Sequence, residues 1–253
     1  MILIGMTGPI GHGKTTFATA LAELVPRTTH FESSLIIAEV ANAWHAVLGG
    51  TIPDPYSVDS LNNWLRYLPS ILLDIVHVHA TYEQIVLDPR DIETHPIEYQ
   101  KLILHVENLV RNPDLASQTI NNANKENFRP ILQWLGGYLV QKVEPGIWYN
   151  EIVRRVKVEE AAGCELCIVG GLRFPADGTI LRQAGGIIVK VYRPGHLQND
   201  MLDPTERERE NIKVDCTIVS NGSIQEVKKH AIVFLEDIRN NRLQPMYQTK
   251  DYV

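Results

Sequence analysis

The feature that most limits what this chain can fold into is its first seventeen residues, MILIGMTGPIGHGKTTF. Met1 to Thr7 is an apolar run rich in β-forming residues, of a length that fits one buried strand. Gly8-Pro9-Ile10-Gly11-His12-Gly13-Lys14-Thr15 follows at once and fits G-x-x-x-x-G-K-[ST], the Walker A spacing. Thr16 to Val25 then has the periodicity of an amphipathic helix. A glycine-rich turn between a strand and a helix turns backbone N–H groups towards phosphate oxygens, and the helix start adds positive potential at the same place. Gly8, Gly11, His12, Gly13, Lys14, Thr15 and Thr16 are therefore the candidate nucleotide-binding residues. Lys14 would meet the β- and γ-phosphates of ATP, and the Thr15 hydroxyl would serve Mg²⁺. His12 sits inside the loop, with its side chain expected to point outward.

The rest of the chain shows the grammar of a parallel sheet. Leu166–Gly170, Ile187–Tyr192 and Val214–Ser220 read as strands, and Arg27–Phe31 as a short extended stretch. Helices are expected over Leu35–Leu48 (capped by Ser33 or Ser34), Arg129–Lys142, Trp148–Ala162 and Asp177–Ala184. A last helix runs from a cap at Ser223 to about Asn240, and the tail from Arg242 is expected to be loosely held. Asp59 to Leu87 reads as two helices broken at Pro69, and His95-Pro96 opens another to about Val110. Asp114 to Asn127 is amide-rich, either a mobile loop or a weak helix. The expected fold is α/β: an open parallel sheet of P-loop NTPase type with helices on both faces, in one domain over residues 1–253. The strand-poor stretch at about 50–128 reads as a helical insertion into the α/β core.

Composition narrows the class. The hydrophobic content of 44% and charged content of 21% are those of an ordinary globular chain. A net charge of −6 gives no overall attraction for nucleic acid or anionic membrane. No apolar run reaches membrane-spanning length, and the N-terminus lacks a signal-like core, so a soluble, cytoplasmic protein is expected. Cys164 and Cys167 fall at the start of a strand on alternating faces and read as packing, not as a zinc or redox pair. His77, His79, His95 and His105 invite a metal reading, but His77 and His79 lie two apart on a helical stretch and point to different faces.

Four stretches together resemble the bacteriophage deoxynucleoside monophosphate kinase family, of the P-loop nucleoside-monophosphate kinase fold. They are the P-loop; Arg129-Pro-Ile-Leu-Gln-Trp-Leu-Gly136 with Trp148 downstream; Ile168 to Asp177, IVGGLRFPAD; and Val191-Tyr-Arg-Pro-Gly195. The last is followed by Asp203-Pro-Thr-Glu206, Asp215 and the Asn221-Gly222-Ser223 turn. The resemblance implies transfer of the γ-phosphoryl of ATP, with Mg²⁺, to a deoxynucleoside 5′-monophosphate in the cytoplasm of a phage-infected bacterium. It implies that Arg129 and Gln133, on one helix face, hold the acceptor phosphate and read the base, though a helix-start arginine and an exposed glutamine would look the same. Trp148 would stack on that base or sit in the core. Arg173, at a strand end, joins Lys14 as a catalytic candidate, with an ordinary surface ion pair as the other reading. The resemblance makes the insertion at about 50–128 the acceptor-binding part and about 195–212 a lid, from which Arg207 and Arg209 would close on ATP; the other reading of these two is a solvated charged helix.

One position departs from the family pattern. The family strand ends in a carboxylate two residues before arginine, where this chain has Gly171 in Gly170-Gly171-Leu172-Arg173. Asp177, Glu206 and Glu32 are candidates to take over its hold on the Mg²⁺ water shell. The alternative functions are a P-loop kinase acting on a hydroxymethylated pyrimidine within phage DNA, and a nucleotide-binding protein without turnover. Nucleic acid is a partner only under the first of these; no membrane partner is expected, and a homodimer stays open.

Overall fold

The computed structural model describes residues 1–76, 91–94, 96–121, 123–196, 208–219 and 223–248. Arg207, Glu206, His77, His79, His95 and the Asn221-Gly222 turn lie outside the described residues.

The chain divides into two compact units, one formed by Met1–Glu32 with Ile152–Val253, the other by Ser33–Glu151. The first is built on a six-stranded sheet. Its strands are β1 (Ile2–Thr7), β2 (Thr28–Glu32), β3 (Leu166–Gly170), β4 (Ile187–Tyr192), β5 (Cys216–Val219) and β6 (Met246–Tyr247). All pairings are parallel, in the order β2-β3-β1-β4-β5-β6. β1 and β3 are buried almost throughout, which is why they read as unbroken apolar runs. β2, TTHFE, is an edge strand of half-buried and exposed residues, so no apolar run announces it.

Helices cover both faces. On one, α1 (Lys14–Leu24) and the C-terminal helix Ile224–Arg239 bury Phe17 and Phe234 with Ile4, Met6, Ile168, Val189 and Ile218. The two phenyl rings meet edge to face at 5.6 Å. On the other, Leu181 of the helix Pro175–Gln183 and Ile188 of β4 both close over Gly5 of β1. From β1 the chain winds first to β2 and β3 on one side, then to β4, β5 and β6 on the other. The switch leaves a crevice beyond the C-terminal end of β1, where the glycine-rich loop begins.

The tail departs from expectation. Met246–Tyr247 adds a sixth strand to β5, and Tyr247 is fully buried. Its hydroxyl accepts the Gln244 N–H (3.1 Å) and donates to Asp237 (3.2 Å), which also accepts from the Gln244 side chain. A buried aromatic ring with satisfied polar groups holds what looked like a polar terminus.

The second unit is helical: α2 (Ser33–Leu48), α3 (Val58–Leu65), α4 (Leu68–Ile75), α5 (Pro96–Arg111) and α6 (Arg129–Lys142), then the first turn of α7 (Ile147–Ala161). Pro69 stands in the first turn of α4, so the break with α3 falls just before it, at Arg66-Tyr67. The amide-rich stretch forms two short 3₁₀ turns, Pro113–Ser117 and Lys125–Phe128. Trp44, Trp64, Trp134, His45, His105 and Phe128 form an aromatic cluster, in which the His45 and His105 rings stack at 5.5 Å.

Candidate nucleotide-binding site

The glycine-rich loop is shaped by contacts that only glycine permits. Gly8 has φ +129°, and a Cβ there would lie 2.2 Å from the Val191 carbonyl oxygen of β4. Gly13, at φ +95°, is the N-cap of α1, with no side chain capping the helix and no acidic residue in its first turn. The first N–H groups of α1 and the positive end of its dipole are thus presented at the loop, the arrangement that binds anions. Thr15 is exposed and Thr16 half-buried in this turn.

Cationic side chains gather here. Lys14 Nζ donates to the carbonyls of Gly8 (2.6 Å) and Pro9 (2.8 Å). Arg209, only 7% exposed, donates to the same Gly8 carbonyl at 3.1 Å. Burial, then the charges of Arg209 and Arg173, bring the Lys14 amine down to about 8, against the opposing charge of Glu32. The field of Arg173 thus reaches Lys14, and its own side chain is exposed at the C-terminal side of β3. Arg209 is thus not on a solvated charged helix: it is buried against the loop, where its guanidinium supplies a donor to the Gly8 carbonyl.

His12 turns inward, contrary to expectation. It is 1% exposed, and its Nδ1 accepts the Arg193 backbone N–H at 3.0 Å, which ties the loop to the segment after β4. That bond puts the ring proton on Nε2. The imidazole pKa is lowered by burial and by the charges of His196, Lys14, Arg209 and Lys190.

The acids sort themselves by what they hold. Asp177 is buried at the start of the helix Pro175–Gln183, where Oδ2 accepts the N–H groups of Arg173 and Phe174, both at 2.9 Å. Burial nevertheless raises its pKa to about 6, against those two bonds and the Arg173 charge. Asp177 therefore fixes the Arg173 backbone. Glu32 ends β2 and pairs in register with Gly170. Glu210 pairs with Lys190 at 2.7 Å.

Arg129, Gln133 and Trp148 belong to the helical unit. Arg129 opens α6, exposed and 3.4 Å from Glu126; Gln133 is half-buried one turn later. Trp148 is only 3% exposed, so it belongs to a core and offers no open face for stacking. Cys167 is likewise fully buried, its thiol pushed up to about 12. The inward turn of His12, the reach of Arg209 to Gly8 and the closeness of Glu32 to Gly170 join residues far apart in sequence, and no local pattern signals them.

No family model matches the chain. A curated relative from Acanthamoeba polyphaga mimivirus, named "Putative deoxynucleotide monophosphate kinase", is 25% identical over 114 residues. The match takes in 39% of this chain and 55% of that protein, so the chain spans little more than half the length of the relative. No helix among the described residues is long and apolar enough to cross a membrane. The chain is thus an α/β protein with a parallel sheet of P-loop type, similar at a distance to a protein named as a nucleotide kinase.

Proposed function

We propose that this protein transfers the γ-phosphoryl group of ATP to a deoxynucleoside 5′-monophosphate, giving ADP and the deoxynucleoside diphosphate. The observation that carries the reading is the convergence of Lys14, Arg173 and Arg209 at an uncapped helix start, beyond the C-terminal end of β1. Phosphoryl transfer needs little covalent chemistry from a protein; it needs in-line placement and positive charge around the moving group. In this reading the loop amides and Lys14 take the β- and γ-phosphates, releasing Lys14 from Gly8 and Pro9. Arg173, its backbone held by Asp177, faces the charge that builds on the γ-phosphoryl oxygens. Arg209 keeps the Gly8 carbonyl turned away from the phosphates, and His12 holds the loop to Arg193.

An exposed threonine hydroxyl in the first turn of α1 and a carboxylate at the end of β2 are oxygen donors of the type that Mg²⁺ prefers, so the residues present fit the ion. When bound, Mg²⁺ neutralises charge between the β- and γ-phosphates. The acceptor is assigned to the helical unit, with Arg129 on its phosphate and Gln133 on its base. The name of the mimivirus relative supports a deoxynucleotide as acceptor.

The test is a panel of ATP and Mg²⁺ with each of the four deoxynucleoside monophosphates, beside duplex DNA carrying a hydroxymethylated pyrimidine. Formation of a deoxynucleoside diphosphate supports the proposal. Label appearing only in the DNA transfers the acceptor to the polymer, and no label in either arm leaves a nucleotide-binding protein without turnover.

A further inference from the structure

The Gly170-Gly171 pair leaves the end of β3 without side chains, and a residue of the neighbouring strand fills the space. A Cβ at Gly170 would lie 3.2 Å from Glu32 Oε1, 3.3 Å from Glu32 Cγ and 3.3 Å from His30 Nε2. Residues in register on adjacent parallel strands point to the same face, and Glu32 is in register with Gly170. Its carboxylate therefore leans across the end of β3, next to the position where the related kinases carry their acid. The His30 imidazole stands beside it, 3.9 Å from Oε1.

Two other acids of this unit make contacts of their own, as Glu32 does with His30. Asp177 accepts two backbone N–H groups, and Glu210 pairs with Lys190. Gly171 itself has φ +77°, a conformation that a side chain disfavours. The geometry points to Glu32 as the carboxylate that steadies the metal ion's water shell in the nucleotide site, replacing from β2 the side chain that Gly171 lacks. This inference rests on the nucleotide-binding reading above. Mg²⁺ keeps several of its waters and takes few direct protein ligands, so a carboxylate acting through water, with the Thr15 hydroxyl, meets its needs. The charge of Glu32 also reaches Lys14, the residue assigned to the β- and γ-phosphates. Gly170 has a role of its own on this account: it is small so that Glu32 can lie over it.

The experiment is calorimetric titration of ATP into wild type and Glu32→Gln, once with EDTA and once with Mg²⁺, with Mn²⁺ titrated into each protein–ATP complex as a second readout. Glu32 is half-exposed, and glutamine keeps its shape, so the variant tests charge and not folding. In EDTA the variant should bind ATP at least as tightly as wild type, because a negative charge near the phosphates is gone. With metal, the gain in ATP affinity should shrink about tenfold or more, and Mn²⁺ affinity should fall by a similar factor, as for other outer-shell partners of metal ions. Equal changes with and without metal, or an undiminished gain, overturn the role of Glu32 and leave nucleotide binding intact. A wild type that binds no ATP in either condition removes the nucleotide reading, and this inference with it.

Discussion

Gly171 is where a single residue bears most on the chemistry. A side chain in its left-handed conformation costs about 1–2 kcal/mol, somewhat less for Asp than for most residues. Gly171→Asp would also set a second carboxylate near Glu32 and the phosphates. The variant should melt below wild type and turn over more slowly at every Mg²⁺ concentration. Initial rates across a Mg²⁺ titration check this, and a faster variant would mean that Glu32 does not do the work assigned to it. The family resemblance points to a carboxylate at this position that the chain lacks, but it does not tell that β2 lies beside β3, which the register alone reveals. His12 has the same lesson. Its partner is a backbone N–H of Arg193, and nothing in the loop's own residues tells an inward imidazole from an outward one.

At the scale of elements, legibility follows burial. β1, β3 and β4 are central strands, and their apolar runs mark them nearly to the residue. β2 and β6 are edges: one is polar and half-exposed, the other two residues long, so periodicity has little to report. β6 still matters to stability through Tyr247, which packs edge to face on Phe234 at 5.6 Å and satisfies Asp237. Tyr247→Ala should cost about 3–5 kcal/mol, the range for deleting a buried aromatic ring, and lower the denaturant midpoint accordingly. An unchanged midpoint would show that the tail is dispensable. In the helical unit the stacked imidazoles set a pH dependence. Burial lowers His45 to about 4, and burial with the charge of His45 lowers His105 to about 3. The unfolded chain takes up these protons near pH 6.5 while the folded unit does not, so stability is full above that pH and falls as pH drops towards 4 and then 3. Each histidine contributes a slope of about 1.4 kcal/mol per pH unit within its window. His105→Phe should remove one such slope between pH 6 and 4.5 in unfolding curves; identical pH profiles would contradict the assignment.

Across the whole molecule, a chain with net charge −6 concentrates Lys14, Arg173 and Arg209 at one helix start. That local concentration favours a small polyanion, whereas a polymer would reward a long basic face. The α/β class was legible from the loop motif and three apolar strands, because both depend on short stretches of chain. Arg209, His12 and Glu32 can be named as candidates from sequence, but the partners they meet cannot, because each contact joins distant segments of the chain. Lys14 is the residue on which the proposed phosphoryl transfer turns. The most direct measurement follows label from γ-labelled ATP into deoxynucleoside monophosphates, with wild type and Lys14→Ala compared at matched melting temperature. Wild type should label at least one acceptor, and the variant should be slower by a hundredfold or more, the order expected for losing a donor to transition-state charge. Its melting temperature should not fall, because burial and two neighbouring cations already disfavour the Lys14 charge. Equal transfer by the two proteins would contradict the account, as would a wild type that labels no acceptor.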